Sequence, residues 1–265
     1  MIDLHNHLMP AVDDGAATLD ASRAALCALA AQGVRTVVTT PHLRASQLGD
    51  PQAAAAAWAR LDTAWNALHR LAVDEFATLR VERGVELMLD VPRVDLADAR
   101  VRLAGTPFVL VEFPLAMIPP RSAHALFDIA AAGYVPVVAH PERYRVGTNA
   151  LVLPSAWKEA GACLQVNAGS LTGYYGADVR ARAWRLLEAG MADYLASDYH
   201  AGPAESPALA AARDACVRRG AAEAHTILAS VNPARLVRGE RPLAVPALRP
   251  PSLWRRRWFG RAGAA

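Results

Sequence analysis

Seven short runs of β-branched or apolar residues, most of them followed by a helical stretch, constrain this chain more than any other feature. They are "IDL" at 2–4, "RTVVTT" at 35–40, "VERGVE" at 81–86, "FVLVE" at 108–112, "VPVVA" at 135–139, "CLQVN" at 163–167 and "DYLAS" at 193–197. Continuous apolar runs of this length suit strands buried on both faces, as in a parallel sheet. Thr18 is placed to cap a helix through "LDASRAALCALAAQ", with Leu19, Leu26 and Leu29 on one stripe and Gly33 ending it. Further helices are predicted over 52–72, over 122–132 ending at Gly133, and over 177–189 ending at Gly190. The length suits either one α/β barrel or two smaller domains, and the alternation predicts an α/β fold. It points to a single distorted (β/α)7 TIM-like barrel over 1–240, with a doubly wound open sheet as the alternative.

The ends of those runs carry the chemistry. The first leads into His5 and His7, and the second into "TTPHLR" with His42. The third and fourth end in Glu86 and Glu112, the fifth leads to His140, and the seventh to Asp198 and His200. Six of seven strands thus deliver an imidazole or carboxylate at the C-terminal end, where barrel active sites are built. An open sheet would spread these groups along a line too long for one site. Histidine nitrogen with carboxylate oxygen, and no thiolate, suits Zn, Mn or Fe. These groups are too many for one ion, and a carboxylate such as Glu86 can bridge two. Each has an ordinary alternative, such as an arginine partner for either glutamate or a helix cap for Asp198. Those alternatives would all have to fall at one topological position. In "AVDDGA" the Asp-Asp-Gly reads as a turn, and Asp14 is a candidate ligand with Asp13 competing. His69, His124 and His225 lie within helical stretches and are read as ordinary residues.

Composition excludes several classes. Half the residues are hydrophobic, so global disorder is ruled out, and no apolar run is long enough for a membrane span. With the histidine pair beginning at position 5 there is no room for a cleaved signal peptide, and the expectation is a cytoplasmic protein. Cys27, Cys163 and Cys216 are scattered and read as buried structural thiols. Six positions after them stand Gly33, Gly169 and Ala222, so the cysteine-to-arginine spacing of cysteine-dependent phosphatases is absent. From Arg235 onward eight arginines face one acid, a charge of +7; with +3 overall, residues 1–234 carry −4. The body therefore has no nucleic-acid footprint. Residues 241–265 read as a basic, aromatic, flexible tail, with contact to an anionic membrane surface or a partner as the competing role.

"DLHNHLMPAVDDGA", "TTPHLR", "AHPERY" and "ASDYH" together resemble the polymerase and histidinol phosphatase superfamily. The Asp-Asp-Gly, the His-Pro-Glu-Arg and "NAGSLTG" are similar to its capsule and exopolysaccharide branch, the bacterial manganese-dependent protein tyrosine phosphatases. The resemblance runs from Ile2 to "NPARLV" at 232–237. It implies three metal ions: one on His5, His7 and Asp198 with Glu86 bridging, a second on Glu86, Glu112 and His140, and a third on Asp14, His42 and His200. Arg143 matches the phosphate-binding arginine, and Arg44 is a candidate second contact that could equally be a salt-bridge partner. The implied substrate is a phosphotyrosine protein, the tyrosine-rich tail of a membrane-bound polysaccharide-export kinase; relatives are commonly homo-oligomers. One departure stands out: the stretch after His200, "HAGPAESPA", lacks the arginine usual there. A small-molecule phosphoesterase such as histidinol phosphatase, and a non-catalytic kinase-docking scaffold, are the competing functions.

Overall fold

A computed structural model describes residues 1–115, 118–144, 151–202 and 205–248. Nine strands lie among them: β1 (Ile2–Asp3), β2 (Thr36–Thr39), β3 (His42–Arg44), β4 (Arg80–Arg83), β5 (Glu86–Met88), β6 (Phe108–Glu112), β7 (Val135–Ala139), β8 (Cys163–Asn167) and β9 (Tyr194–Ala196). The helices are α1 (Leu19–Ala31), α2 (Ala45–Leu48), α3 (Pro51–Glu75), α4 (Ser122–Ala131), α5 (Val152–Glu159), α6 (Ala168–Thr172), α7 (Ala177–Glu188), α8 (Leu209–Arg218), α9 (Ala222–Thr226) and α10 (Asn232–Leu236). The four expected helices are α1, α3, α4 and α7. Thr18 Oγ1 caps α1 by accepting from Ala21 N at 3.1 Å, and Gly33 with φ +86° ends it. Asp50 and Pro51 open α3, whose buried Ala57, Leu61, Ala64, Leu68 and Leu71 form one stripe at helical spacing.

The strands are parallel, but they do not close into one sheet. A three-stranded sheet runs β1-β2-β4 and a six-stranded sheet runs β3-β5-β6-β7-β8-β9. The predicted strand at 81–86 is broken in two, and a further strand, β3, follows the predicted run at 35–40; both trace to Pro41. It has no N–H to donate, so β2 ends before it and β3 starts after it. The neighbouring chain breaks in step between β4 and β5, with Gly84 N donating to Thr39 O at 2.9 Å and Glu86 N to Pro41 O at 3.0 Å. At the other edge, β1 and β9 are tied by side chains: Asp3 accepts Ser197 N at 2.8 Å and Ser197 Oγ at 2.6 Å. Just beyond, Asp198 N donates to His5 O and His7 N to Tyr199 O. Where a distorted barrel was expected, the parallel α/β arrangement is present but the sheet is not closed: two parallel sheets are stitched at their edges.

Both strand faces are buried. Val37, Val109, Val111, Val138, Leu164 and Leu195 pack outward against the helices, including Leu26 and Leu29 of α1 and Leu61 and Leu68 of α3. Alternate residues Val38, Leu110, Val137, Ala139, Cys163, Tyr194 and Ala196 meet in a second cluster with Leu4 and Leu236. Period-2 alternation carries that inner face one step onward to Glu112, to Gln165 and Asn167, and to Asp198. Apolar packing below therefore places polar side chains together above it.

Two expectations are corrected. Cys27 is exposed, because it falls outside the stripe of Ser22, Ala25, Leu26 and Leu29 by which α1 is buried; Cys163 and Cys216 are buried as expected. Residues 241–248, expected to begin a flexible tail, are anchored: Leu243 exchanges hydrogen bonds with the Asn232 side chain at 2.8 and 3.0 Å, and Val245 is buried. The remainder of the tail, 249–265, lies outside the described residues.

Candidate metal centre

Eight of the nine candidate ligands form three overlapping donor groups, each with its atoms within 4.8 Å of one another; His140 falls outside all three. The deepest comprises His5, His7, Glu86 and Asp198, all buried. His5 Nε2 lies 3.1 Å from Glu86 Oε2, 3.2 Å from Asp198 Oδ1 and 3.3 Å from His7 Nε2. His7 Nε2 is 3.4 Å from the same Glu86 oxygen and 3.5 Å from the same Asp198 oxygen. Four donors around one ion at ~2.0–2.1 Å stand about 3.3 Å apart in tetrahedral geometry, so this spacing fits a metal centre.

A second group joins Glu86, Glu112 and His42, with His42 Nδ1 at 3.1 Å from Glu86 Oε2 and 3.2 Å from Glu112 Oε1. His140, which the resemblance implies here, has its Nε2 2.9 Å from the other Glu86 oxygen. The outermost group brings Asp14, His42 and His200 beside His7, with Asp14 Oδ1 at 3.5 Å from the Nε2 atoms of both His42 and His200. His42 thus turns a different nitrogen to each group. A neutral imidazole has one lone pair, so it can serve only one of them as a ligand.

The imidazoles are oriented from behind. His7 Nδ1 lies 2.8 Å from Asp13 Oδ2, which also accepts the backbone N–H of His42. His5 Nδ1 lies 2.8 Å from Gln165 Oε1, an oxygen that can only accept, so the Nε2 lone pair points into the centre. Gln165 donates to Asn167 Oδ1 at 2.9 Å, and Asn167 donates to Asp198 Oδ2 at 2.6 Å. Gln165 and Asn167, on the one strand without an acid or histidine, escaped the sequence reading. Two amides inside a buried apolar strand were the available signal, because buried amides need partners. The Asp13/Asp14 alternative divides the roles: Asp13 supports His7 from behind while Asp14 faces His42 and His200.

Charge also favours a cation. Burial opposes ionisation of Glu86 and Asp198, yet the neighbouring imidazoles hold both carboxyls below their usual range, Glu86 well below. Burial would likewise depress the imidazoles, but Glu86 and Asp198 raise His5 on balance, and Asp13, Asp198 and Glu86 raise His7 well above its ordinary value. His42 is pushed up to about 10 against its own burial by Glu112 and Glu86. Protons here serve as counter-charge, the role a divalent ion fills with more charge. Glu86 Oε2, Glu112 Oε1 and His42 Nδ1 are buried without a hydrogen-bond partner, which also fits an ion between them.

Two donor residues sit in strained backbone: His140 has φ +35° and Asp198 φ +54°, a region costly for residues with a Cβ. Arg143, one turn beyond His140, donates from Nη1 to Asp198 Oδ2 at 2.8 Å. Arg44 is exposed and lies two residues beyond His42 on β3, hence on the same strand face. His69 packs on Trp65, His124 lies 3.8 Å from Asp128 and His225 is buried; none joins a donor group.

Parallel strands that gather nitrogen and oxygen donors around surplus carboxylate charge define the class: an α/β protein with a candidate centre for several metal ions. The chain belongs to the family described as capsular polysaccharide synthesis, CpsB/CapC, whose model matches residues 1–238. Tyrosine-protein phosphatase YwqE of Bacillus subtilis (strain 168) is 34% identical over 207 residues, 76% of this chain and 77% of its own. Tyrosine-protein phosphatase CpsB of Streptococcus pneumoniae is 25% identical over 244 residues, 89% of this chain and 98% of its own. Among solved structures, one described as YwqE from Bacillus subtilis and CpsB from Streptococcus pneumoniae, unique metal-dependent tyrosine phosphatases, superposes with a TM-score of 0.79 at 30% identity. It covers 94% of this chain and 99% of that one. No helix among the described residues is long and apolar enough to cross a membrane.

Proposed function

We propose that residues 1–240 form a metal-dependent protein tyrosine phosphatase domain acting in capsule or exopolysaccharide synthesis, on the tyrosine-rich tail of a membrane-bound kinase in the cytoplasm. The observation that carries this reading is the convergence of His5, His7, Glu86 and Asp198 donor atoms at 3.1–3.5 Å. His5, His7 and Asp198 would hold one ion, with Glu86 shared. Glu86 and Glu112 would hold a second, with His42 or His140. Asp14 and His200 would hold a third, with His42. Manganese is the proposed ion, with iron and zinc compatible with the same donors. Such ions, when bound, supply Lewis acidity and lower the pKa of water to near neutrality.

The chain's own residues do the rest. Four carboxylates, those of Asp14, Glu86, Glu112 and Asp198, would repel a phosphate dianion unless cations offset them. Arg143 adds a fixed positive charge beside Asp198, and its guanidinium fork matches two phosphate oxygens. Asp13 and Gln165 keep the imidazoles from rotating. A tyrosine leaving group, with a phenol pKa near 10, departs with less help from a proton donor than a serine alkoxide would need.

The test is metal analysis of the purified protein with kcat/KM on a phosphotyrosine peptide and on histidinol phosphate. A preference for the peptide supports the reading. A preference for histidinol phosphate would assign a small-molecule phosphoesterase. No turnover with saturating Mn²⁺ would leave the non-catalytic scaffold.

A further inference from the structure

The segment "GYYG" between α6 and α7 lies against Arg143, and nothing in the metal centre uses it. Gly173 and Gly176 both have φ above +90°, and Tyr174 N donates to Gly169 O at 3.0 Å, so the two tyrosines sit on a tight, closed turn. The Arg143 guanidinium carbon stands 4.5 Å from the centroid of the Tyr175 ring. Arg143 also donates from Nη1 to Asp198 Oδ2 at 2.8 Å. Tyr175 also neighbours Asn167, the amide that donates to Asp198. The Tyr175 ring is held from beneath as well: a Cβ on Gly169 would lie 3.3 Å from its Cε2 atom. Tyr174 meets Tyr175 edge to face at 4.9 Å, is largely exposed, and donates to Glu205 Oε1 at 3.2 Å.

We propose that Tyr175 is a positioning residue for Arg143, and that Tyr174 and Tyr175 form the wall on which the leaving-group ring of an aryl phosphate packs. This rests on the phosphatase reading and names how its site selects an ester. A guanidinium that donates one N–H to a carboxylate and stacks on a π-face has its plane fixed, leaving its remaining N–H groups for phosphate oxygens. The ester substituent of a phosphate held there lies within reach of the aromatic pair. A phenyl ring gains edge or offset stacking at that position, whereas the single methylene of a phosphoserine does not.

The test compares Tyr175→Leu and Tyr175→Phe with the unaltered protein, each loaded with Mn²⁺, on matched phosphotyrosine and phosphoserine peptides, with metal content measured alongside. Loss of the π-face in Tyr175→Leu should raise KM for the phosphotyrosine peptide about tenfold, within the range of a desolvated cation–π contact, and narrow the tyrosine-to-serine selectivity ratio. Tyr175→Phe keeps the π-face and should restore both. Gly169→Ala, which crowds the Tyr175 ring, should shift selectivity in the same direction as Tyr175→Leu. Equal loss on both peptides would leave Tyr175 positioning Arg143 only and overturn the aromatic wall; unchanged KM on both peptides, or a fall in metal content in Tyr175→Leu, would overturn the proposal whole. If the unaltered protein hydrolyses neither peptide, the phosphatase reading itself fails and takes this inference with it.

Discussion

Asp13 Oδ2 lies 2.8 Å from His7 Nδ1, and the same oxygen accepts the His42 backbone N–H at 3.1 Å. One carboxylate therefore orients a buried donor imidazole and fixes the start of the strand carrying another. A carboxylate placed behind a histidine ligand sets its tautomer and strengthens its basicity. Asp13→Ala should lower metal affinity about 10–100-fold, the usual effect of removing such a partner. Chelator competition with Mn²⁺ measures it, and affinity within twofold of the unaltered protein would show that Asp13 only builds the turn.

Gly15 closes that turn. A Cβ there would stand 2.1 Å from His7 O and 2.4 Å from His7 Cβ, contacts no side chain can make. The constraint is proximity rather than conformation, since Gly15 is not among the residues with positive φ. Gly15→Ala should push the loop off His7, release Asp13 and Asp14 together, and lose bound metal. Metal content and the Tm of the variant read the outcome; full metal occupancy would contradict the packing.

Arg143 contacts Asp198 through the carboxylate oxygen that does not face His5 and His7. Its removal should leave the donor group standing while stripping the site of a phosphate contact. Arg143→Ala should cost on the order of 10²–10³ in kcat, the scale for losing one donor that stabilises developing charge, with metal content unchanged. Arg143→Lys should recover little, because an ammonium cannot reproduce the planar fork. A variant that loses metal in proportion to activity would make Arg143 a support for Asp198 instead.

What the sequence discloses follows what periodicity can carry. "FVLVE", "VPVVA" and "CLQVN" coincide with β6, β7 and β8, because a buried parallel strand needs only an uninterrupted apolar run. The convergence of Glu86, Glu112 and Asp198 was legible from their place at strand ends. The division into two sheets was not, although Pro41 is its cause, because the matching break near Gly84 depends on pairing with a distant strand. His42 standing between two donor groups, and the positive φ of His140 and Asp198, are set by tertiary packing and leave no local pattern. Tyr175 beside Arg143 requires the α6–α7 turn to fold back against the turn that follows β7, a relation that spacing along the chain does not encode.

The three thiols offer a test of the fold away from the metal centre. Cys27 is exposed, whereas burial pushes Cys163 up to about 12 and Cys216 up to about 11 from an ordinary value of 9.0. Only a thiolate alkylates readily, so iodoacetamide at pH 8 should modify Cys27 alone in the native protein and all three in denaturant. The same shifts set an alkaline limit on stability. Between pH 9 and about 11–12 the unfolded chain releases thiol protons that the native state retains. The unfolded state then binds fewer protons, and stability falls as pH rises through that window. Replacing Cys163 with Ala should flatten the fall in Tm between pH 9 and 11 relative to the parent protein. A Cys163→Ala profile parallel to the parent's, or rapid native labelling of Cys163, would show that β8 is not closed against solvent.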